Sequence, residues 1–175
     1  MIRIVIAEDQ EFLLGIIGSL LNLENDMEVV GQSSEGEEVL ALVKEHRPDI
    51  CLMDTEMHSK EGFSEELRAS GCKLLILSTF PKQGYFEKII EMDVRGYLPK
   101  DSSSEEFVSS IRLILDGERV YSPALMEDDQ DGPTEKETSA TPSQAFPSRD
   151  QQNKTLDSVR SYLTAFKDKM KMPAG

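Results

Sequence analysis

Acidic side chains stand at the carboxyl ends of two short apolar runs of this chain. Glu8 and Asp9 follow the first run, Asp54 follows the second, and a single cation, Lys100, follows a third. If these runs are parallel strands, their carboxyl ends share one edge of a sheet, and the residues after them converge there. The spacing therefore predicts a cluster of carboxylates with one cation.

Carboxylates crowded at one edge repel one another. At about 4 Å and an effective dielectric constant of about 20, each like-charged pair costs about 4 kcal/mol. Protonation or a bound cation relieves that cost. Oxygen ligands of this kind suit Mg2+, which accepts a few carboxylates and keeps waters that phosphate oxygens can replace. These residue types therefore predict Mg2+ as the cofactor and phosphoryl transfer as the chemistry.

The elements that would position these residues alternate regularly up to about residue 122. Short apolar runs are separated by stretches with helical periodicity, a pattern typical of successive βαβ units. The predicted strands are Ile2–Ala7, Glu28–Gly31, Ile50–Met53, Leu74–Leu77 and Tyr97–Leu98. The predicted helices are Glu11–Leu23, Gly36–His46, Phe63–Ala69, Tyr85–Met92 and Ser104–Asp116. This alternation predicts an α/β fold with a doubly wound, five-stranded parallel sheet.

The character of the chain changes after the fifth predicted helix. Residues 127–154 contain Pro133, Pro142 and Pro147 among many polar and few apolar side chains, and the predicted linker spans residues 123–154. Such a stretch cannot bury enough surface to offset its ordering entropy, so it predicts a linker that is mostly disordered. Residues 155–172 have apolar side chains at helical spacing and predict one amphipathic helix.

The formal net charge is −14 and is unevenly distributed. Residues 1–126 hold 12 basic and 24 acidic side chains, whereas residues 151–175 hold 5 basic and 2 acidic ones. Nucleic-acid affinity depends largely on Lys and Arg side chains that neutralise phosphates. The main part of the chain is therefore not expected to bind a polyanion, and only its last 25 residues have the charge to do so.

The two cysteines, Cys51 and Cys72, lie inside or just before predicted strands and lack metal-binding spacing. They are interpreted as buried thiols in a reducing compartment. No apolar stretch approaches the roughly 20 residues that span a membrane. The sequence therefore predicts a soluble, cytoplasmic protein.

The first predicted helix has a wide apolar surface. At 100° per residue its apolar side chains cover an arc of roughly 200°, about twice the stripe of an ordinary surface helix. One interpretation is a helix wedged deeply between its neighbours. The other is a docking face for a partner such as a kinase, or for a second copy of the chain. The candidate residues of that face are Phe12, Leu14 and Leu21, with Leu113 of the last helix.

Three motifs are Ile-Ala-Glu-Asp at residues 6–9, Asp54 with Met57 and Gly62 downstream, and Gly-Tyr-Leu-Pro-Lys-Asp at residues 96–101. Together they resemble the response-regulator receiver domain of two-component signalling. The stretches at residues 6–10, 13–15, 19–24 and 83–86 resemble its NarL/FixJ subfamily. The resemblance extends from residue 1 to about residue 125 and implies a receiver domain of flavodoxin-like fold at residues 1–122.

The resemblance implies a role for each acidic residue at the predicted edge. Asp54 is expected to be the phosphoacceptor, whose carboxylate attacks the phosphohistidine of a sensor histidine kinase. Asp9 is expected to bind Mg2+ directly and Glu8 through water. Asp54 and the backbone carbonyl of Glu56 complete the expected protein ligands.

The resemblance also implies how the phosphoryl group is sensed. Lys100 is expected to neutralise one phosphoryl oxygen and Ser78 to hydrogen-bond another. The added charge and acceptors draw Ser78 inward and let Tyr97 turn from the outside to the inside. Ser78 and Tyr97 thus form the expected switch, which changes the surface of the helix at residues 85–92.

The predicted tail helix resembles the recognition helix of LuxR-type helix-turn-helix domains. A recognition helix reads bases only when other helices hold it in the groove, and here linker-like sequence replaces them. The output segment is therefore interpreted as truncated or degenerate, and a folded DNA-binding domain is not expected. The candidate DNA contacts are Arg160, Lys167 and Lys169.

The sequence as a whole predicts a response regulator that is phosphorylated on Asp54, changes conformation, forms a homodimer and controls transcription. No enzymatic activity is expected beyond assistance with its own phosphorylation and dephosphorylation. One alternative is a phosphorylation-independent interaction module of receiver fold. Another is a Mg2+-dependent phosphohydrolase using Asp54, which the lack of a second acid beside Asp54 disfavours.

Overall fold

The computed structural model describes residues 1–57, 62–79 and 85–123. The strands are β1 (Ile2–Ala7), β2 (Met27–Ser33), β3 (Ile50–Asp54), β4 (Lys73–Ser78), β5 (Gly96–Pro99) and β6 (Val120–Tyr121). The helices are α1 (Glu11–Leu21), α2 (Val39–His46), α3 (Phe63–Ala69), α4 (Tyr85–Glu91) and α5 (Ser104–Leu115). A 3-10 turn, Gly36–Glu38, leads into α2. All the strands and helices predicted up to residue 122 are present, with shifts at their ends.

The strands form one parallel sheet in the order β2-β1-β3-β4-β5-β6. The chain passes from β2 across β1 to reach β3, and thereafter adds strands on one side only. The carboxyl ends of β1 and β3 therefore form the point where the strand order reverses, which is where open α/β sheets bind their ligands. The predicted doubly wound α/β fold is confirmed.

The sixth strand corrects the predicted number of five. β6 pairs in parallel with β5, and its two residues are too few to show a period-2 pattern. Contacts with distant residues hold it in place: the Tyr121 hydroxyl donates a hydrogen bond to the Val94 carbonyl at 2.8 Å. Arg119 Nη1 donates in turn to the Tyr121 hydroxyl at 2.9 Å.

Two apolar cores lie on opposite faces of the sheet. Ile4 and Ile6 of β1 belong to the core shared with α1 and α5, whereas Val5 and Ala7 belong to the core that includes α2 and α3. The alternation arises because successive strand side chains point to opposite faces. Because helices cover both faces of the sheet, both sets of strand side chains are buried. The strands therefore have nearly continuous apolar sequences.

The first helix was predicted either to be wedged between its neighbours or to offer a docking face. The exposure of each side chain decides between the two. Phe12 is 63% exposed and Leu113 of α5 is 46% exposed, while Leu14 is partly buried against the core. Leu21 is completely buried, so the prediction that it lies on an exposed face is wrong. Leu21 comes nine residues after Phe12, which at 100° per residue places it on the opposite side of the helix, facing the sheet.

The predicted tail helix at residues 155–172 and almost all of the predicted linker at residues 123–154 lie outside the described residues. The candidate DNA contacts Arg160, Lys167 and Lys169 lie there as well. In the part of the chain that the structure describes, no helix combines the length and the apolar character needed to span a bilayer.

Candidate functional site

Four neighbouring strands bring the predicted site residues to one edge of the sheet. Glu8 comes directly after β1, Asp54 ends β3, Ser78 ends β4, and Lys100 comes directly after β5. The backbone N–H of Lys100 donates to the carbonyl of Ser78 at 2.8 Å, which fixes the last two strand ends relative to each other. The side chains that were predicted to converge therefore do so.

Lys100 lies between two buried carboxylates. Its Nζ is 2.7 Å from Glu8 Oε2, 3.0 Å from Glu8 Oε1 and 2.8 Å from Asp54 Oδ2. The three side chains are at most 2% exposed. A buried charge is tolerated when its partners remain, and removing one partner leaves an uncompensated charge. One cation here compensates only one of the two buried acids.

Burial dominates the acid–base behaviour of Glu8. It raises the pKa of Glu8 from 4.5 to about 7, although the charge of Lys100 opposes the shift. Burial also lowers the pKa of Lys100, but the carboxylates of Glu8 and Asp54 outweigh it, and the net direction is upward. A further cation beside Glu8 would therefore favour its ionised form.

The second carboxylate oxygen of Asp54 accepts hydrogen bonds from the two residues that follow it in the chain. Asp54 Oδ1 accepts hydrogen bonds from the backbone N–H of Glu56 at 3.2 Å and from Thr55 Oγ1 at 3.3 Å. Thr55 Oγ1 also lies 3.4 Å from Ser78 Oγ. Thr55 is not among the predicted site residues, and its only sequence signal is a hydroxyl directly after an acidic strand end.

The acidic residues of this edge fit a divalent cation. One carboxylate oxygen from each of Glu8, Asp9 and Asp54 lies within 4.8 Å of the others. Opposite ligands of an octahedral Mg2+ are about 4 Å apart, so small side-chain movements would suffice. Glu8 Oε2 is buried and forms an ion pair with Lys100 Nζ at 2.7 Å, and a carboxylate oxygen with two lone pairs keeps acceptor capacity for a metal beside that contact. Asp9 is exposed, so the site is open to solvent on that side.

The two residues of the expected switch are both inside. Ser78 and Tyr97 are each 2% exposed, and Tyr97 packs in the core on the α2 and α3 side of the sheet. Tyr97 pairs with Ile76 of β4, so the pleat of β5 already directs its ring to that core. The expectation of an outward Tyr97 before phosphorylation is therefore wrong for this structure.

Phe12 and Leu113 are exposed on helices that pack on the same core, but they lie at opposite ends of the molecule. α1 and α5 pack on the same core and both run antiparallel to the strands, so their amino-terminal ends lie at the same end of the molecule. Phe12 is near the start of α1, whereas Leu113 is near the end of α5. Arg112 supports this placement, because it forms ion pairs with Glu24 at 3.0 Å and Asp26 at 2.7 Å, beyond the end of α1.

Comparisons with known proteins agree with this geometry. A family model of the response regulator receiver domain matches residues 4–112. The transcriptional regulatory protein DesR of Bacillus subtilis (strain 168) is 54% identical over 130 residues, which cover 73% of this chain and 65% of DesR. YvfU of the same strain, described as an uncharacterized transcriptional regulatory protein, is 47% identical over 71% of this chain and 64% of its own. The chain thus spans less than two thirds of the length of these relatives.

Solved structures show the same likeness. The crystal structure of a DNA-binding response regulator of the LuxR family from Staphylococcus aureus has a TM-score of 0.60 and 32% identity. The match covers 66% of this chain and 99% of that chain. The stretch from Ile6 to Gln10 also resembles the thermosensing desaturase regulator of the NarL/FixJ subfamily, a resemblance that the identity with DesR confirms. The chain therefore belongs to the response regulator receiver domain family, in its NarL/FixJ subfamily.

Proposed function

We propose that this protein is a cytoplasmic phosphoacceptor that takes a phosphoryl group from a sensor histidine kinase on Asp54 and thereby controls transcription. The observation that carries the proposal is the contact of Asp54 with Lys100 at a buried edge where Glu8 and Asp9 can share a cation. A nucleophilic carboxylate, a fixed cation and a divalent-metal site are the groups that phosphoryl transfer to an aspartate requires.

In the proposed reaction an oxygen of Asp54 attacks the phosphorus of the kinase phosphohistidine. The new P–O bond forms as the P–N bond breaks, and the imidazole leaves with the electron pair of that bond. Lys100, 2.8 Å from Asp54, is close enough to transfer its contact to a phosphoryl oxygen. When bound, Mg2+ would supply charge neutralisation at the phosphoryl oxygens. Glu8, Asp9, Asp54 and the Glu56 carbonyl would hold it.

The switch that we propose begins at Ser78. Its hydroxyl, 3.4 Å from Thr55 Oγ1, can exchange that neighbour for a phosphoryl oxygen, which is a stronger acceptor. Movement of Ser78 pulls on the end of β4, and Tyr97 borders β4 through its pairing with Ile76. Because Tyr97 is already buried, its part in the switch would be to follow β4, and no inward rotation is needed.

The first prediction tests the nucleophile. Incubation of the wild type with acetyl phosphate and Mg2+ should add the mass of one phosphoryl group, read by intact mass spectrometry. Asp54→Asn should abolish the label while preserving the fold, because an amide oxygen is too weak a nucleophile. Asp116→Asn, an exposed aspartate at the end of α5, is the matched control and should label normally. Undiminished labelling of Asp54→Asn would refute the assignment, and repeated turnover of a phosphate ester would indicate a phosphohydrolase.

The second prediction tests the metal site. Asp9→Ala removes a direct anionic ligand, so the affinity for Mg2+ in a calorimetric titration should fall by about tenfold or more. Glu11→Ala removes an exposed acid from the first turn of α1 and should leave the affinity within about twofold. Equal affinities of wild type and Asp9→Ala would show that the cation binds elsewhere.

Phosphorylation is also proposed to promote a homodimer. The exposed Phe12 and the partly buried Leu14 of α1, with Leu113 of α5, would form the contact, whereas Leu21 is excluded by its burial. The same face is the alternative docking site for the kinase. Its exposure is also the observation that favours the second candidate function, an interaction module that works without phosphorylation.

A dimer would bring together two copies of the basic segment at residues 151–175. Their Arg160, Lys167 and Lys169 side chains would then make weak, salt-sensitive contacts with DNA. This part of the proposal rests on charge alone, since the segment lies outside the described residues.

A further inference from the structure

A narrow line of side chains follows the outer face of α1. Phe12 is 63% exposed, and Leu23, in the turn after α1, is 42% exposed. Between them Ile16 is half-buried and Ser19 is exposed. At 100° per residue these four positions lie within about 60° of one another, away from the buried side of the helix. These four residues form the outer strip of α1.

The middle of the outer strip allows another helix to approach closely. A Cβ atom at Gly15, one turn from Phe12, would meet no atom of the described residues within 4 Å. The Ser19 hydroxyl donates back to the Gly15 carbonyl at 2.8 Å, so this side chain stays close to its own helix. The four residues of the strip are spaced by four, three and four positions. This spacing is typical of a seam along which two helices pack.

The outer strip lies in an anionic part of the chain. No lysine or arginine stands between Arg3 and Lys44. Asp9 and Glu11 are exposed at the amino-terminal end of α1. At the other end of α1, Arg112 of α5 pairs with Glu24 at 3.0 Å. An occupant of the strip therefore gains most from cations placed near Phe12.

The segment at residues 155–172 has a sequence that complements this strip. Its apolar side chains are spaced by three and four positions, at Leu156, Val159, Leu163, Phe166 and Met170. Three of its cations fall where side chains flank the seam of paired helices, namely Arg160, Lys167 and Lys169. With Lys171, the lysines of the segment are concentrated after Phe166. The predicted tail helix thus matches the outer strip in spacing and in charge.

The chain leaves the sheet at the edge where α1 begins. β6 runs parallel to β5, and the Ser122 N–H donates to the Tyr97 carbonyl at 2.9 Å, so the chain passes residue 122 at the edge that holds Lys100. In the sheet β6 and β1 are four strand spacings apart, about 19 Å. Residues 124–154 can span up to about 100 Å, which is more than enough to reach either end of α1.

We propose that residues 155–172 dock on the outer strip of α1 of the same chain, antiparallel to α1, in the unphosphorylated protein. Leu156 then lies beside Leu23 and Met170 beside Phe12. Charge selects this orientation, because it brings the lysines after Phe166 to the exposed acids at the start of α1.

The docked segment would cover Phe12, which also belongs to the proposed dimer contact. The docked tail and the dimer would therefore exclude each other. This consequence rests on the proposed function, whereas the docking itself does not.

The experiment treats the full, unphosphorylated chain at low salt with a water-soluble carbodiimide, which joins a lysine amine to a carboxylate in an amide bond. Peptide mass spectrometry compares the yields of cross-links from Lys167, Lys169 and Lys171 to two acids. Glu11 should be linked about tenfold or more above Glu45, an exposed acid of α2 on the other side of the sheet. A mixture of 15N-labelled and unlabelled chains shows whether each link joins residues of one chain.

A matched pair of variants locates the contact. Gly15→Arg places a large cation in the outer strip and should lower the Glu11 cross-links about tenfold, because it blocks and repels the segment. It should fold, since a Cβ atom there has open space and arginine favours helix more than glycine does. Ala41→Arg adds the same side chain at an exposed position of α2 and should cross-link as the wild type does.

Three results would overturn the proposal. They are equal yields at Glu11 and Glu45, Glu11 cross-links that join labelled to unlabelled chains, and an unchanged Glu11 yield in Gly15→Arg. The second result would assign the strip to a second copy of the chain. None of these results bears on the phosphorylation of Asp54, which is measured separately by mass.

Discussion

Glu8 shows how strongly one side chain depends on its surroundings. Glu8 and Glu11 are three residues apart in sequence, yet Glu8 is completely buried beside Lys100 and Glu11 is exposed at the start of α1. The difference arises because β1 ends in the buried interior, next to other strands of the sheet, while α1 begins at the protein surface. A buried carboxylate that must share its one cation with Asp54 is costly, which is the expected property of a metal ligand before the metal binds.

The third prediction concerns the pH dependence of stability and follows from the raised pKa of Glu8. The folded protein binds the Glu8 proton more tightly than the unfolded chain, whose pKa is near 4.5. This contribution to stability is therefore fully present below pH 4.5 and is lost as the pH rises through about 7. It amounts to roughly 3 kcal/mol at most. The groups that face Glu8 are Asp9, Asp54 and Lys100.

Urea unfolding at several pH values, with a chelator present, measures this effect. Stability should fall across the window in the wild type, and Glu8→Gln should remove most of the fall. Glu45→Gln, at an exposed position of α2, should keep it. Saturating Mg2+ should reverse the trend, because it binds the ionised carboxylate. A fall of the same size in Glu8→Gln would assign the effect to another group.

The two helices that pack on the same core begin in different ways. Ser103 caps α5, with its hydroxyl oxygen accepting a hydrogen bond from the Glu106 N–H at 3.2 Å. Gln10 occupies the same position before α1 and makes no side-chain cap. Its backbone N–H donates instead to Glu8 Oε1 at 3.2 Å. The start of α1 is therefore tied to the acidic edge, while the start of α5 is stabilised by its own sequence.

The fourth prediction compares the contributions of Ser103 and Gln10, the residues that precede α5 and α1, to the free energy of unfolding. Ser103→Ala removes a cap and should lower the free energy of unfolding by about 1 kcal/mol. Gln10→Ala removes no cap and should change it by less than about 0.5 kcal/mol, as surface substitutions usually do. Urea denaturation of both variants provides the measurement. Equal losses in the two variants would show that the Ser103 hydrogen bond does not stabilise α5.

On the α1 and α5 side the molecule exposes two large apolar residues of its helices, Phe12 and Leu113. Phe12 and Leu113 lie at opposite ends of this helix pair, so a contact that uses both must extend along the full length of α1, roughly 16 Å for 11 residues. A contact of that length fits a symmetric dimer, in which each residue of one copy meets a different residue of the other.

The fifth prediction tests this dimer. Phosphorylated wild type should sediment as a dimer at high concentration, and Phe12→Glu should keep it monomeric without reducing the Asp54 label, because a charge would be buried in the contact. Ala41→Glu adds the same charge at an exposed position of α2, on the other side of the sheet, and should still dimerise. A strictly monomeric phosphorylated wild type would exclude the dimer and favour kinase docking on Phe12.

The sequence by itself determined the parallel sheet and the edge where Glu8, Asp54, Ser78 and Lys100 meet. These features follow from local patterns: apolar runs of strand length, helical periodicity between them, and polar residues at the strand ends. The strand ends could be placed without coordinates because parallel strands share one edge.

Tertiary structure alone decided the features that depend on distant neighbours. β6 is held by the contact of Tyr121 with Val94, 27 residues away, and Thr55 joins the site because it meets Ser78, 23 residues away. Leu21 is buried because the sheet covers its side of α1. The wide apolar arc in the sequence does not reveal which side of the helix the sheet covers.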